Sequence, residues 1–513
     1  MTTGILGAVI PSGLDEGEPG LLLAKVSANP DGDLVLDESD PDTPHLDKEP
    51  EIKALPALPT GPALARSRGD VTNALLKLLA GGIETYFGGL FLLIPFLLQI
   101  RVQELAGALC PGKEKCSRGL TSLQAMLAIF FTAISGLKNL SKVGAIQDPG
   151  IAIAAGLPRL PSGATLHQYL NLIETKVLDE LKLKTARILK RIGMIRGRIV
   201  NIDIHVSEYF GDQKLPEGHH GTKKKSVKCW CTMAAQDQDT NNPIYYYVYL
   251  RHQSIFEILP GFINKVRSIV GGAPWFTLVF DREFFKGEFF AQLLQMPKTK
   301  FITIAKNYKT IVEQLERVPE SAFNKLCEGK DLATTYINIT DCAAPLRLLV
   351  IKLLDSGKLI GLITNDEKTA PEILVLRYAR RWRIENFFKD IEAFLKLDHM
   401  PGIRQVKIDS MLYIKFLAFS MFNYLRQQLG GQFASMNIES IYDALLHKKA
   451  HVQLVGDRLI VRFAYFKGQE TVIERYRNLD AKLRFQNIDP RIPWLGNAMV
   501  TFVFEDKDGI PVS

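Results

Sequence analysis

Long apolar runs are scarce in this 513-residue chain. The nearest to one is Thr85–Ile100, 16 uncharged residues broken by Gly88, Gly89 and Pro95. That is short of the roughly 20 residues a membrane-spanning helix needs. A buried, interrupted helix is expected there, and no membrane role. Cysteine is also sparse, with six residues at 110, 116, 229, 231, 327 and 342 and no CxxC pattern. Neither Cys229-Trp-Cys231 nor the Cys110/Cys116 pair has a second pair nearby, which argues against a structural zinc. Thiols in a reducing compartment are the default for such usage. No repeat with a period of about 20–50 residues is visible, which excludes solenoids and propellers. The opening residues lack the basic-then-apolar order of a secretory signal, so a cytoplasmic location is expected.

What is present is a 47% hydrophobic fraction, enough for a sizeable core, and a modest basic excess of 63 Lys and Arg over 55 Asp and Glu, or +8. The excess is a mild bias toward polyanionic partners. It is unevenly spread. Between residues 31 and 51 nine acids face Lys48 alone, and seven prolines fall between Pro30 and Pro62. Residues 1–70 therefore read as a flexible acidic, Pro-rich arm. Lys182–Arg198 and Lys223-Lys224-Lys225 are local basic concentrations.

Periodicity divides the rest. Residues 71–195 read as helical, with Asp70 as an N-cap before Val71–Ala80 and apolar spacing over Leu120–Leu137 and Leu166–Ile192. Strands follow at Gly197–Asp203, Ser226–Ala235 and Pro243–Arg251, then a helix over Ile255–Val270. Trp275–Asp281 is a strand, Phe284–Gln295 a helix and Lys300–Lys306 a strand. This order predicts an α/β fold with a mixed sheet and flanking helices. Residues 307–373 interrupt it with strands at Thr334–Ile339, Leu346–Leu354 and Leu359–Thr364. Ser410–Leu429 reads as an apolar helix, and Gln453–Tyr465 and Ala498–Glu505 as strands.

The stretch from Tyr378 to Glu392 gathers Arg380, Arg381 and Arg383 around Glu385. On a helical wheel Ile384, Phe387, Phe388, Ile391, Phe394 and Leu395 form one stripe. Tyr378, Arg381, Glu385, Lys389, Glu392 and Lys396 form a polar stripe at its edge, where a cleft would lie. Taken alone, this is a row of exposed i, i+4 pairs worth about 0.2–0.5 kcal/mol each.

Two further acids close strands, Asp203 and Asp281, and carboxyl ends of strands are where open α/β sheets place ligands. Three carboxylates meeting at such an edge repel unless cations sit among them, and hard divalent ions with oxygen ligands meet that need. Each acid also has a plainer reading: Asp203 as a turn or cap acid, Asp281 as the partner of Arg282. Asp366 in Thr364-Asn-Asp366 is a rival third acid or a turn cap.

Asp203 in Asn-Ile-Asp-Ile-His, Asp281 in Val-Phe-Asp-Arg-Glu-Phe-Phe, and Tyr378-x2-Arg381-x3-Glu385 resemble the DDE transposases of the IS4 type. The gaps of 78 and 104 residues between successive acids suit the family, the second leaving room for a mostly β insertion. The resemblance implies an RNase H-like catalytic core over 196–306 and 374–430, interrupted by the insertion at 307–373. It is preceded by a helical DNA-end-binding domain at 71–195 and followed by a C-terminal region, 431–513, for dimerisation or DNA contact. It implies that Asp203, Asp281 and Glu385 are catalytic and bind two Mg²⁺ ions, with Mn²⁺ able to substitute. Tyr378, Arg381, Lys389 and Lys396 would contact DNA. The implied partners are double-stranded DNA, both terminal inverted repeats and target, and a second copy in a homodimeric synaptic complex. The implied location is the bacterial cytoplasm, at the nucleoid.

Two departures stand out. The family pattern continues to a Lys seven residues after the Glu, where this chain has Glu392, and residues 307–373 contain no Trp, leaving Tyr308, Tyr336 and Phe323 as flat rings. The competing readings are a transposase-derived DNA-binding protein without chemistry and a standalone nuclease of the same fold.

Overall fold

The structure, a computed structural model, describes residues 26–28, 34–36, 68–111, 119–137, 139–146, 148–210, 214–220, 225–250, 253–271, 275–397 and 402–512. Most of the expected arm, Lys223, Lys224 and Cys116 lie outside them. The chain divides into two compact units.

The first unit comprises residues 1–41, 195–206 and 231–387. Its strands are β1 (Ile199–Glu208) as far as Val206, β2 (Lys225–Asp237) from Cys231 on, β3 (Pro243–Leu250), β4 (Phe276–Phe280), β5 (Thr299–Ile304), β6 (Asn324–Cys327), β7 (Lys330–Ile337), β8 (Leu346–Leu353) and β9 (Leu359–Thr364). They form one sheet in the order β6-β7-β8-β9-β5-β4-β1-β2, with β3 also on β2. β1, β4 and β5 run parallel, in the register Ile202↔Phe280↔Thr303. The mixed core β3-β2-β1-β4-β5 with flanking helices is the RNase H-like arrangement that the resemblance implies. The insertion does not leave this sheet. It comes back through β9, which pairs antiparallel with β5 at Leu362↔Ile304 and so extends the core by four strands.

β4 is buried at every position, as expected of a central parallel strand covered on both faces. Alternation sends Phe280 one way and Val279 the other. Phe280 meets Phe289 of helix α2 (Gly287–Gln295) at 5.7 Å and stacks on Phe301 at 6.0 Å. Helix α1 (Ile255–Val270) packs on β3, with Phe262 at 5.4 Å from Tyr245. On the opposite face Val279, Ile302 and Leu362 share a core cluster with Leu374, Val375, Leu376, Tyr378 and Ala379 of helix α3 (Pro371–Ala379). Val26 and Leu34 join that cluster from a small hairpin, Val26–Ala28 with Leu34–Leu36, inside the segment read as an arm.

Two expectations change here. Asp203 does not end its strand, since β1 runs on to Glu208; what ends is the parallel pairing with β4, at Ile202. Tyr378–Glu392 is not one helix. α3 stops at Ala379, and α4 (Trp382–Ala393) starts after a turn at Arg380 and Arg381.

The second unit comprises residues 42–194, 207–230 and 388–513. The helices Ser122–Ile134 and Gln405–Leu429 are buried over most of their length. Leu166–Ile192 proves to be two helices, Gly163–Asn171 and Thr175–Arg191. Ile83–Thr85 pairs with Ala450–Val452, so the helical region and the C-terminal tail share a sheet as well as a unit. The tail is further tied down by Trp494, whose indole N–H donates to the Ala154 carbonyl at 3.0 Å. No single helix among the described residues is long and apolar enough to cross a membrane; Gly88–Gln99 and Val102–Leu109 pass that test only as a pair bent by 76°.

Candidate active site

The site follows from strand register. Ile202 pairs with Phe280, the last pair of the parallel ladder, so Asp203 and Asp281 are the first residues past its end on the two chains. Alternation puts Asp203, Asn201 and Asp281 on the face that carries α3. Asp281 also caps the single turn Arg282–Phe284, accepting from the Glu283 N–H at 2.8 Å. Thr303 of β5 donates its hydroxyl to the Asp281 carbonyl at 3.1 Å, fixing that strand end.

Glu385, on the first turn of α4, reaches this edge through Arg381. The Arg381 guanidinium contacts Asp203 Oδ2 at 3.5 Å through Nη1 and Glu385 Oε1 at 2.7 Å through Nη2. Its side chain is only 2% exposed. Burial, then the neighbouring Asp281, hold the Asp203 carboxyl well above the ordinary carboxylate range; Arg381 pulls it down and Glu385 pushes it up. Burial would lower Arg381, but Tyr378 and the three carboxylates raise it well above its ordinary value. Three acids and one buried cation thus act on one another, with negative charge in excess.

Residues 207–421 match the family model described as Transposase DDE domain. This chain carries a transposase DDE domain. The match covers less than half of the chain. It takes in Asp281, Tyr378, Arg381, Glu385, Lys389 and Lys396 and begins just after Asp203. No curated protein matches. Among solved structures, the cryo-EM structure of a piggyBac transposase synaptic complex with hairpin DNA is similar, at 12% identity and a TM-score of 0.42, over 81% of this chain and 87% of that one.

Within the DDE domain the other expected site residues separate. Tyr378 is wholly buried in the core cluster of the first unit, with the Arg381 guanidinium 5.8 Å from its ring centre. Lys389 is exposed one turn beyond Glu385. Lys396 leaves the stripe, because α4 ends at Ala393 and Lys396 takes a left-handed backbone (φ 55°), with its ammonium on the Ala393 carbonyl. Asp366 is a turn cap: it pairs with Lys300 at 2.7 Å and accepts from the Thr369 hydroxyl at 2.6 Å. Burial would raise its carboxyl, but Lys300 and Thr369 hold it below the ordinary value.

Asp203, Asp281 and Glu385 offer hard oxygens suited to a divalent cation, and their unbalanced charge fits one. As they stand, no three His, Cys, Asp or Glu among the described residues are arranged to hold a metal, and Arg381 lies between Asp203 and Glu385.

Composition and motif gave no warning of three buried amides behind the site, Asn201, Gln236 and Gln238. Gln238 Nε2 donates to Asn201 Oδ1 at 2.8 Å and to the Arg377 carbonyl at 2.9 Å. Gln236 Nε2 reaches the Arg383 carbonyl at 3.3 Å. A signal did exist: Asn201 two residues before Asp203 in an apolar run, and the polar cluster Gln236-Asp237-Gln238 closing the apolar end of β2.

Proposed function

We propose that this chain is a transposase that cuts DNA at the ends of its element and joins the freed 3′-hydroxyl to target DNA. The observation that carries the reading is the convergence of Asp203, Asp281 and Glu385 on one buried guanidinium at the carboxyl edge of the parallel strands. Asp203, Asp281 and Glu385 would hold two Mg²⁺ ions, with Mn²⁺ as a substitute; bound there, the ions activate water and stabilise the leaving oxygen of a phosphodiester. Arg381 offers a planar guanidinium suited to bidentate contact with a phosphate once it leaves Glu385. Tyr378 acts through Arg381 by filling the space beneath it. Exposed Lys389 adds a phosphate contact on the same helix. The substrate class is double-stranded DNA, both terminal inverted repeats and target, and the working form is a homodimer in the cytoplasm, at the nucleoid.

One observation favours DNA binding without chemistry. Asp203 and Glu385 are bridged by Arg381, and no three acids among the described residues are arranged around an ion site. One experiment separates these. Purified protein is incubated with a duplex bearing the element's terminal repeat and either Mg²⁺ or Mn²⁺, and the products are mapped. Nicking followed by strand joining, abolished by Asp203→Asn and by Glu385→Gln, supports the transposase. Nicks without joining mean a nuclease. Salt-sensitive binding without cleavage means a binding protein.

A further inference from the structure

We propose that Gln238, assisted by Gln236 and Asn201, is a positioning residue that breaks the helix at Arg381 and so brings Arg381 and Glu385 to the two aspartates. The inference rests on the active-site reading above.

In an unbroken α-helix the N–H of residue 381 would bond to the carbonyl of residue 377. Here the Arg381 N–H bonds instead to the Tyr378 carbonyl at 2.9 Å. That tightening frees the Arg377 carbonyl, which would be left without a donor beside the core of the unit. Gln238 Nε2 supplies one at 2.9 Å. A side-chain amide thus replaces a backbone N–H, and the exchange coincides with the turn that separates α3 from α4.

Two further contacts secure the far side of the turn. Gln236 Nε2 donates to the Arg383 carbonyl at 3.3 Å, and Arg383 Nη1 returns a bond to the Gln238 carbonyl at 2.7 Å. Asn201 locks the amides themselves, accepting from Gln238 Nε2 at 2.8 Å and donating to Gln236 Oε1 at 3.3 Å. The three amides are 1% exposed or less, so water does not compete for their bonds. Asn201 lies two residues before Asp203 on the same face of β1, so one strand carries both a metal-facing acid and the lock.

Without Gln238 the Arg377 carbonyl regains a partner most simply by reclaiming the Arg381 N–H. The turn is then lost, and with it the offset that sets Arg381 and Glu385 against Asp203 in the present structure. Partners bonded directly to metal ligands typically change metal affinity or activity by about 10–100-fold; Gln238 acts on Glu385 through the turn without touching it, which points to the lower end of that range.

The test measures Mn²⁺ binding to the full chain, in the absence of DNA, by isothermal titration calorimetry at a temperature well below all unfolding midpoints. Gln238→Leu and, separately, Gln236→Leu keep side-chain volume and remove the amide. Gln238→Leu should weaken Mn²⁺ binding about tenfold or more, and Gln236→Leu less. Asn365→Leu serves as the control for general destabilisation. Asn365, just past β9, is another amide bonded to backbone, that of Thr299 and Phe301 rather than that of the turn. It should lower the unfolding midpoint and leave Mn²⁺ affinity unchanged. Should Gln238→Leu not fold, Arg383→Ala removes the bond to the Gln238 carbonyl from a partly exposed side chain and should weaken binding in the same direction. Parent-like Mn²⁺ affinity in folded Gln238→Leu, or an equal loss in Asn365→Leu, overturns the positioning role while leaving the active site intact. A parent that binds no Mn²⁺, or binds it equally well as Asp203→Asn, overturns the active-site reading and the positioning role with it.

Discussion

Replacing Arg381 with Gln removes the cation that bridges Asp203 and Glu385 and leaves the carboxylates to repel one another. At an effective dielectric near 20, contacts of 2.7 and 3.5 Å correspond to about 5–6 kcal/mol of attraction each. Desolvating the guanidinium offsets much of that, by several kcal/mol, and removing one partner of a buried pair typically costs about 3–5 kcal/mol. Asp203 and Glu385 keep 14% and 26% of their side-chain exposure, so water relieves part of the repulsion and the lower end, about 3 kcal/mol, is the better figure. For a unit of roughly 150–250 residues that lowers the melting temperature by about 6–12 °C. Divalent ions should then act in opposite measure. In the parent, Mn²⁺ competes with Arg381 for the same oxygens; in Arg381→Gln it meets unpaired acids, binds more tightly and raises stability further at equal concentration. The assay is thermal unfolding of parent and variant in EDTA and across a Mn²⁺ titration. An Arg381→Gln protein as stable as the parent in EDTA, or one whose Mn²⁺-induced shift is no larger, refutes the reasoning.

Three other outcomes follow from the same structure. The Asp237 carboxylate accepts backbone N–H groups from Arg196, Gly197, Asp239 and Thr240, yet burial raises its carboxyl to about 6. The stability it contributes is therefore full below pH 4 and lost as pH rises through 6, a change of about 3 kcal/mol that urea unfolding of Asp237→Asn against the parent should show flattened. A Cβ at Gly89 would lie 1.8 Å from the Leu445 carbonyl oxygen, so Gly89→Ala should destabilise the second unit by about 3 kcal/mol or the upper end of overpacking costs, read as a lower urea midpoint. Glu392 is exposed on α4 beyond Glu385; Glu392→Lys should tighten binding to terminal-repeat DNA and steepen its salt dependence by about one unit of slope, measured by fluorescence anisotropy.

Much of the fold could be read from the chain because its signals are local. The strand Trp275–Asp281 is an apolar run with an acid at its end, and the helix Ile255–Val270 matches its expected bounds. Long-range pairing carries no local mark. Nothing near Ile83–Thr85 announces a partner at Ala450–Val452, so the helical region and the C-terminal tail read as separate pieces although they share a unit. The hairpin within the first 41 residues was hidden by its acidic, Pro-rich surroundings, since Val26 and Leu34 sit in short three-residue strands whose burial depends on a helix some 340 residues away in sequence.

The candidate site shows the same division at the scale of single bonds. Asp203, Asp281 and Glu385 stand out in the chain because an apolar run closing on an acid and a cation-rich helix are patterns of neighbouring residues, and the structure brings Asp203 and Glu385 together on Arg381. The helical wheel then extended one ladder of i→i−4 bonds from Tyr378 to Lys396, and it failed at both ends for reasons the ladder does not contain. At Arg381 the break depends on Gln238, 139 residues from Arg377 in sequence. At Lys396 the left-handed backbone ends the stripe, and the Lys415 ammonium takes its carbonyl. Periodicity assumes that each backbone carbonyl is satisfied by its own helix. Where a distant amide takes one instead, the spacing still marks the candidate residues but misplaces them, and here the misplaced turn is the one that carries Arg381 to Asp203.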